Sequence, residues 1–146
     1  MPKDTRKIAD VMTPNPQTVT EKDSIRDVAR IMAKRDTGVV PVVEGKKIIG
    51  LITDRDIVIR LVAAGKDLGN ARVTEAMTKN VRSVKEDTPV NEVLALMGKA
   101  EIRRVTVLNR NDEIVGIVSI GDLAKTDQDG KIGQTLEDIS EGRPNN

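Results

Sequence analysis

The sequence predicts an α/β (α+β) fold of two tandem β-α-β-β-α repeats, packed sheet to sheet around a pseudo-two-fold axis. Three observations predict it. One order of segments runs along the chain twice at a nearly constant spacing. Each copy sets an amphipathic stretch of helical period ahead of two Val- and Ile-rich runs separated by a turn. The core is wholly aliphatic, because Phe, Tyr and Trp are absent. At 146 residues the chain is long enough to bury roughly 70% of the surface its unfolded form exposes.

The duplication is read residue by residue. Val11-Met12-Thr13 recurs 65 positions later as Ala76-Met77-Thr78, and Thr18-Val19 recurs at the same offset as Ser83-Val84. Ile25, Val28, Ile31 and Met32 map onto Val90, Val93, Leu96 and Met97. After one inserted residue, Gly50-Leu51-Ile52-Thr53-Asp54-Arg55-Asp56-Ile57 matches Gly116-Ile117-Val118-Ser119-Ile120-Gly121-Asp122-Leu123.

Each element follows in order. A short helical turn ends at the Met-Thr pair and leads to a brief extended segment. An amphipathic helix comes next, capped by Ser24 with Asp27 in the first copy and started by Thr88-Pro89 in the second. Ile25, Val28, Ala29 and Met32 form its apolar face, with Arg26, Arg30 and Lys34 on the wet side. Two extended runs flank a turn in each copy: Val39–Val43 and Ile48–Thr53, then Val105–Leu108 and Ile114–Ser119. A second helix begins after Thr53 and after Ser119. The small sheet of one copy has a bare apolar face, and the other copy supplies its cover. The expected division is residues 1–72, residues 73–126, and a polar tail over 127–146.

Composition removes whole classes of function. With no Cys and no His, thiolate and imidazole metal sites, disulfides and Ser–His or Cys–His pairs are impossible. The formal charge is +1, from 24 basic and 23 acidic residues, which is no polyelectrolyte footprint for nucleic acid. The absent aromatics also deny bases a stacking platform. The charged N-terminus is no signal peptide, and no apolar run reaches membrane-spanning length. The expected location is the cytoplasm.

These residues carry a family resemblance. The opening Val11-Met12-Thr13-Pro14, the strand Gly38-Val39-Val40-Pro41-Val42 and the twice-used Gly-x-x-Thr/Ser-x-x-Asp junction resemble tandem cystathionine-β-synthase (CBS) domains over about residues 8–125. The resemblance implies a regulatory, non-catalytic sensor that binds AMP, ADP, ATP or another adenosyl ligand in clefts between the repeats. Ribose and phosphate contacts carry over onto Thr53, Arg55 and Asp56, and onto Ser119, Gly121 and Asp122. Adenine contacts carry over onto Thr18, Val19, Gly38, Val39, Val40 and Pro41, and onto Ser83, Val84, Arg103, Arg104 and Val105. No cofactor is required, and Mg2+ is the cation to accompany a polyphosphate beside Asp54. The partners implied are a second copy, meeting through residues such as Ile57, Leu61 and Val62, and a regulated protein in trans.

The chemistry has its own logic. A strand-to-helix junction offers free N–H groups and the positive end of the helix dipole, which suit phosphate. An ionised Asp in the first turn accepts hydrogen bonds from a vicinal diol. The same Thr/Ser-x-x-Asp spacing is also an ordinary capping box, which leaves a structural dimerisation or interaction module with vestigial sites as the alternative. The copies differ where Pro41 faces Thr106, and where Asp54-Arg55 faces Ile120-Gly121, so the two sites are expected to be unequal.

Overall fold

The computed structural model describes residues 5–125 and Ile139. Along the chain, a 3₁₀ turn over Ile8–Asp10 precedes β1 (Thr13–Pro14), α1 (Ile25–Arg35), β2 (Val39–Glu44), β3 (Lys47–Thr53) and α2 (Asp54–Ile57). A π-helical stretch, Val58–Val62, continues α2. A second 3₁₀ turn, Val73–Glu75, leads to β4 (Ser83–Lys85), α3 (Val90–Ala100), β5 (Arg104–Leu108), β6 (Ile114–Ser119) and α4 (Ile120–Ala124). These elements form two compact units: a central one over Pro16–Val81, and a terminal one from the described residues on either side of it.

In the central unit, β2 and β3 form an antiparallel hairpin in register from Val39↔Thr53 to Glu44↔Lys47. Gly45 closes it at φ 64°, a left-handed conformation that glycine adopts without steric cost. Val19 adds a parallel bridge to Val42, and Thr78 an antiparallel bridge to Leu51. Helix α1 starts as expected, with Ser24 Oγ accepting the Asp27 N–H at 3.1 Å. Ile25 and Val28 are buried with Val40, Val42, Ile52, Leu61 and Val73. Ala29, expected on this inward face, is exposed. The stripe centres on Ile25, Val28 and Met32, and Ala29 lies at its edge with only a methyl group to reach inward.

The terminal unit repeats that plan in the order β1-β6-β5-β4. β1 runs antiparallel to β6 (Thr13↔Ile117), and β4 runs parallel to β5 (Ser83↔Thr106). Val90, Val93, Leu94 and Met97 of α3 pack with Ile8, Val105, Val107, Val118 and Leu123. The start of α3 differs from the expectation. Pro89 is the cap itself, extended at ψ 143°, with no side-chain hydrogen bond. The Val90 N–H donates instead to the Arg6 carbonyl at 3.0 Å, so the leading segment does the work assigned to Thr88. The tail expected from residue 127 lies outside the described residues except for Ile139, which is helical and fully buried in this core.

The compact units cut the chain differently from the sequence repeats. The 3₁₀ turn at Ile8–Asp10 and β1 open the first repeat, yet they fold with the second repeat's strands. Val73–Thr78 opens the second repeat and folds with the first repeat's β3. The described residues hold no helix long and apolar enough to cross a membrane.

The face expected to pair with a second copy is also redrawn. Leu61 is fully buried and Ile57 packs on the central core, while Val58, Ile59 and Val62 stand about half exposed. The Ala63 N–H reaches the Val58 carbonyl five residues back at 2.8 Å. In this wider turn Leu61 faces the core and the other three face outward.

Candidate functional site

Both strand-to-helix junctions fold into reciprocal capping boxes. Thr53 Oγ1 accepts the Asp56 N–H at 3.0 Å, and Asp56 Oδ2 accepts the Thr53 N–H at 3.0 Å. Ser119 Oγ accepts the Asp122 N–H at 3.1 Å, and Asp122 Oδ2 accepts the Ser119 N–H at 3.0 Å. The motif therefore caps a helix in each unit. Capping uses one oxygen of each carboxylate, so the ligand question turns on the other.

There the two junctions part. Asp56 Oδ1 lies 3.8 Å from Arg60 Nε, and Oδ2 also meets the Thr78 hydroxyl at 3.5 Å. Arg60 is held in turn, its Nη1 donating to the Met77 carbonyl at 2.9 Å. The Asp56 side chain is only 14% exposed. Asp122 Oδ1 meets no such cation among the described residues. A sugar hydroxyl would compete with Arg60 at Asp56 but not at Asp122. The Asp56–Arg60 spacing of one helical turn was legible in the sequence; the approach of Thr78 was not.

The remaining candidates group around these junctions. In the central unit, the Gly38 carbonyl accepts the Asp54 N–H at 3.0 Å. The Asp54 carboxylate lies so close to Gly38 that an added Cβ would sit 3.1 Å from its Oδ2. Val39 pairs with Thr53 across the hairpin, and Arg55 is exposed beside it. In the terminal unit, the Arg103 carbonyl accepts the Ile120 N–H at 2.8 Å. Arg104 pairs with Ser119, and Gly121 is exposed, where an added Cβ would touch only Ser119 Oγ, at 3.6 Å. Among the described residues, Arg103 Nε is buried with no hydrogen-bond partner, an orphan donor that an anion would satisfy. Val40 and Val105 are fully buried, so their side chains fill cores and cannot themselves contact anything bound outside.

The extended segments differ as well. Val19 N–H donates to the Pro41 carbonyl at 3.0 Å, and Val43 N–H to the Val19 carbonyl at 2.8 Å. At the matching place in the terminal unit, Thr106 is fully buried, and its Oγ1 shares a 2.5 Å hydrogen bond with Ser83 Oγ. Val84 pairs with Val107 next to it. A separate cleft of about 460 Å³, lined by Lys85, Glu86, Asp87, Leu108, Asn109 and Arg110, lies at the other end of β5 from Ser119. It gathers none of these residues.

Comparison with known proteins agrees with this duplicated plan. The CBS domain family profile matches residues 8–63 and 73–129. The chain is 40% identical over 139 residues to the uncharacterized protein YlbB of Bacillus subtilis, covering 93% of both chains. It is similar in structure to a putative signal-transduction protein with CBS domains from Burkholderia ambifaria, with a TM-score of 0.74 and 31% identity over 83% of this chain and 93% of that one. It is also similar to the CBS domain pair of MJ0100, solved with 5′-methylthioadenosine and S-adenosylmethionine, with a TM-score of 0.72 and 31% identity over 83% of this chain and 98% of that one.

Proposed function

Starting from a chain that belongs to the CBS domain family, we propose that it is a regulatory module that senses an adenosyl ligand and catalyses nothing. The observation that supports this most is the repeated junction, Thr53 with Asp56 and Ser119 with Asp122, each joining helix N–H groups to an acidic first turn. Such a junction suits a ribose phosphate. The adenosyl class is supported by the MJ0100 pair, whose structure holds two members of it. AMP, ADP, ATP, 5′-methylthioadenosine and S-adenosylmethionine are the candidates, with Mg2+ accompanying a polyphosphate. The module acts from the cytoplasm on a protein in trans, as a homodimer. The non-catalytic reading rests on chemistry: without His or Cys, proton transfer falls to Asp, Glu and Lys, and the acids at both junctions are used as helix caps.

Calorimetric titration of those five compounds tests the reading. Saturable binding of at least one supports it, and heats no larger than dilution for all five sink it. A second reading is favoured by one specific observation, the engagement of Asp56 by Arg60 and Thr78. On that reading the junctions are purely structural and the chain is an interaction domain.

A further inference from the structure

We infer that the adenine edge decides occupancy: only the central unit presents one able to read a 6-aminopurine, so that one adenosyl ligand binds per chain even though Asp56, unlike Asp122, already meets a cation in Arg60. The inference rests on the adenosyl reading above and sharpens it.

An adenine amine donates a hydrogen bond and therefore needs an open acceptor. In the terminal unit the Arg82 carbonyl, just before Ser83, is already used twice. It accepts the Thr106 N–H at 3.1 Å and the Thr106 hydroxyl at 3.3 Å. A carbonyl oxygen has two lone pairs, and here both are filled. The Ser83 hydroxyl closes the cluster by pairing with Thr106 Oγ1.

In the central unit the residue matching Thr106 is Pro41, and the residue matching Arg82 is Gln17. Proline has no N–H and no hydroxyl. The Gln17 carbonyl consequently meets no donor among the described residues, and Gln17 is exposed. Its place is nonetheless fixed. Val19 is bonded on both sides to the β2 backbone, and the Gln17 side chain accepts from Arg35 Nε at 3.2 Å. The result is an acceptor with no donor among the described residues, two residues before the Val19 bridge and beside the buried Pro41. A backbone carbonyl in that position seeks a donor, and a purine amine supplies one. A 6-oxopurine would set its own carbonyl against it and be rejected, as sites built for one hydrogen-bonding pattern reject the opposite one.

The test is equilibrium dialysis of the full chain against radiolabelled AMP and S-adenosylmethionine, counting ligand bound per chain. One site is expected for whichever probe binds. Thr106→Pro, which copies the central unit's own residue, is expected to raise the count to two. Thr106→Val keeps the N–H on Arg82 but frees the lone pair its hydroxyl filled, and is expected to open a second site weaker than that of Thr106→Pro. Pro41→Thr should weaken the single site about tenfold, and inosine monophosphate should bind wild type about tenfold less tightly than AMP, in line with the loss of one hydrogen bond. Two equal sites in wild type, or an unchanged Pro41→Thr protein, would overturn the inference and leave the adenosyl reading standing. Binding of neither probe would remove the inference, and the adenosyl reading falls only when ADP, ATP and 5′-methylthioadenosine fail as well. Should Pro41→Thr lose its circular-dichroism signature, the site count of Thr106→Pro still decides.

Discussion

The sulfur of Met77 occupies the space that any side chain at Gly50 would need: an added Cβ would stand 2.9 Å from Met77 Sδ and 2.9 Å from the Thr78 carbonyl. The terminal unit repeats the arrangement, with Met12 seated against the bare backbone of Gly116. Those two glycines let the segment that opens each sequence repeat dock on the strand of the other. The Thr78 N–H and carbonyl then exchange hydrogen bonds with Leu51 at 2.7 and 2.9 Å.

Gly50→Ala and Gly116→Ala are therefore expected to destabilise the chain by about 1–3 kcal/mol, the usual cost of overpacking. Urea denaturation followed by circular dichroism measures it. The backbone carbonyl that crowds Gly50 cannot swing away as a side chain can. A midpoint unchanged in both variants would mean the docked segments are dispensable.

The junction hydroxyls are caps before they are anything else. Thr53→Ala and Ser119→Ala should each lower stability by ~1 kcal/mol with no ligand present. Serine at position 53 should restore it. A loss seen only with ligand bound would assign the hydroxyls to the ligand alone.

If a ribose diol is held by Asp56 or Asp122, the bond is charge-assisted and worth roughly 1.5–3 kcal/mol. The 2′-deoxy form of the ligand should bind wild type on the order of 10- to 100-fold less tightly. Asp→Ala at the residue concerned should erase that difference. Equal binding of ribo and deoxy forms by wild type would return both acids to a purely structural role.

Val58, Ile59, Val62 and Leu68 are 53, 50, 52 and 42% exposed. Apolar residues exposed together on one short segment are expected to serve as an interaction face, and two-fold pairing is the commonest way to cover one. Sedimentation at micromolar concentration should show twice the chain mass, and Ile59→Asp with Val62→Asp should return it to the monomer. A monomeric wild type would assign the patch to another partner.

Glu75 is the one acid among the described residues with a clear shift. The Arg72 N–H, at 2.7 Å, and then the Lys66 ammonium, at 3.3 Å, hold its carboxyl below the ordinary 4.5. Because its folded value is depressed, its contribution is complete above the unfolded value and is lost as pH falls through the folded one. Wild type should thus lose melting temperature more steeply than Glu75→Gln as pH drops below about 4.5. Parallel curves would show that the ion pair adds nothing, as is common for exposed pairs.

The order of residues alone carries the duplicated β-α-β-β-α plan, because its signals are local. The Ser24–Asp27 box, the alternation along Val39–Val43 and the Gly45 turn each act within a few residues. It also determined the two junctions, since Thr-x-x-Asp and Ser-x-x-Asp close on themselves. Tertiary structure decided what lies beyond one element's reach. It chose which repeat each leading segment joins, because Gly50 and Gly116 declare a vacancy without naming the methionine that fills it. It turned Leu61 inward through a π-helical turn that residue spacing does not announce. It drew Arg60 and Thr78 onto Asp56 and left Asp122 with fewer neighbours. The contrast at Pro41 and Thr106 shows the division most clearly. The difference in residue was plain in the sequence, but its consequence, one carbonyl filled twice and its counterpart left open, depends on which backbone atoms the parallel strands bring face to face.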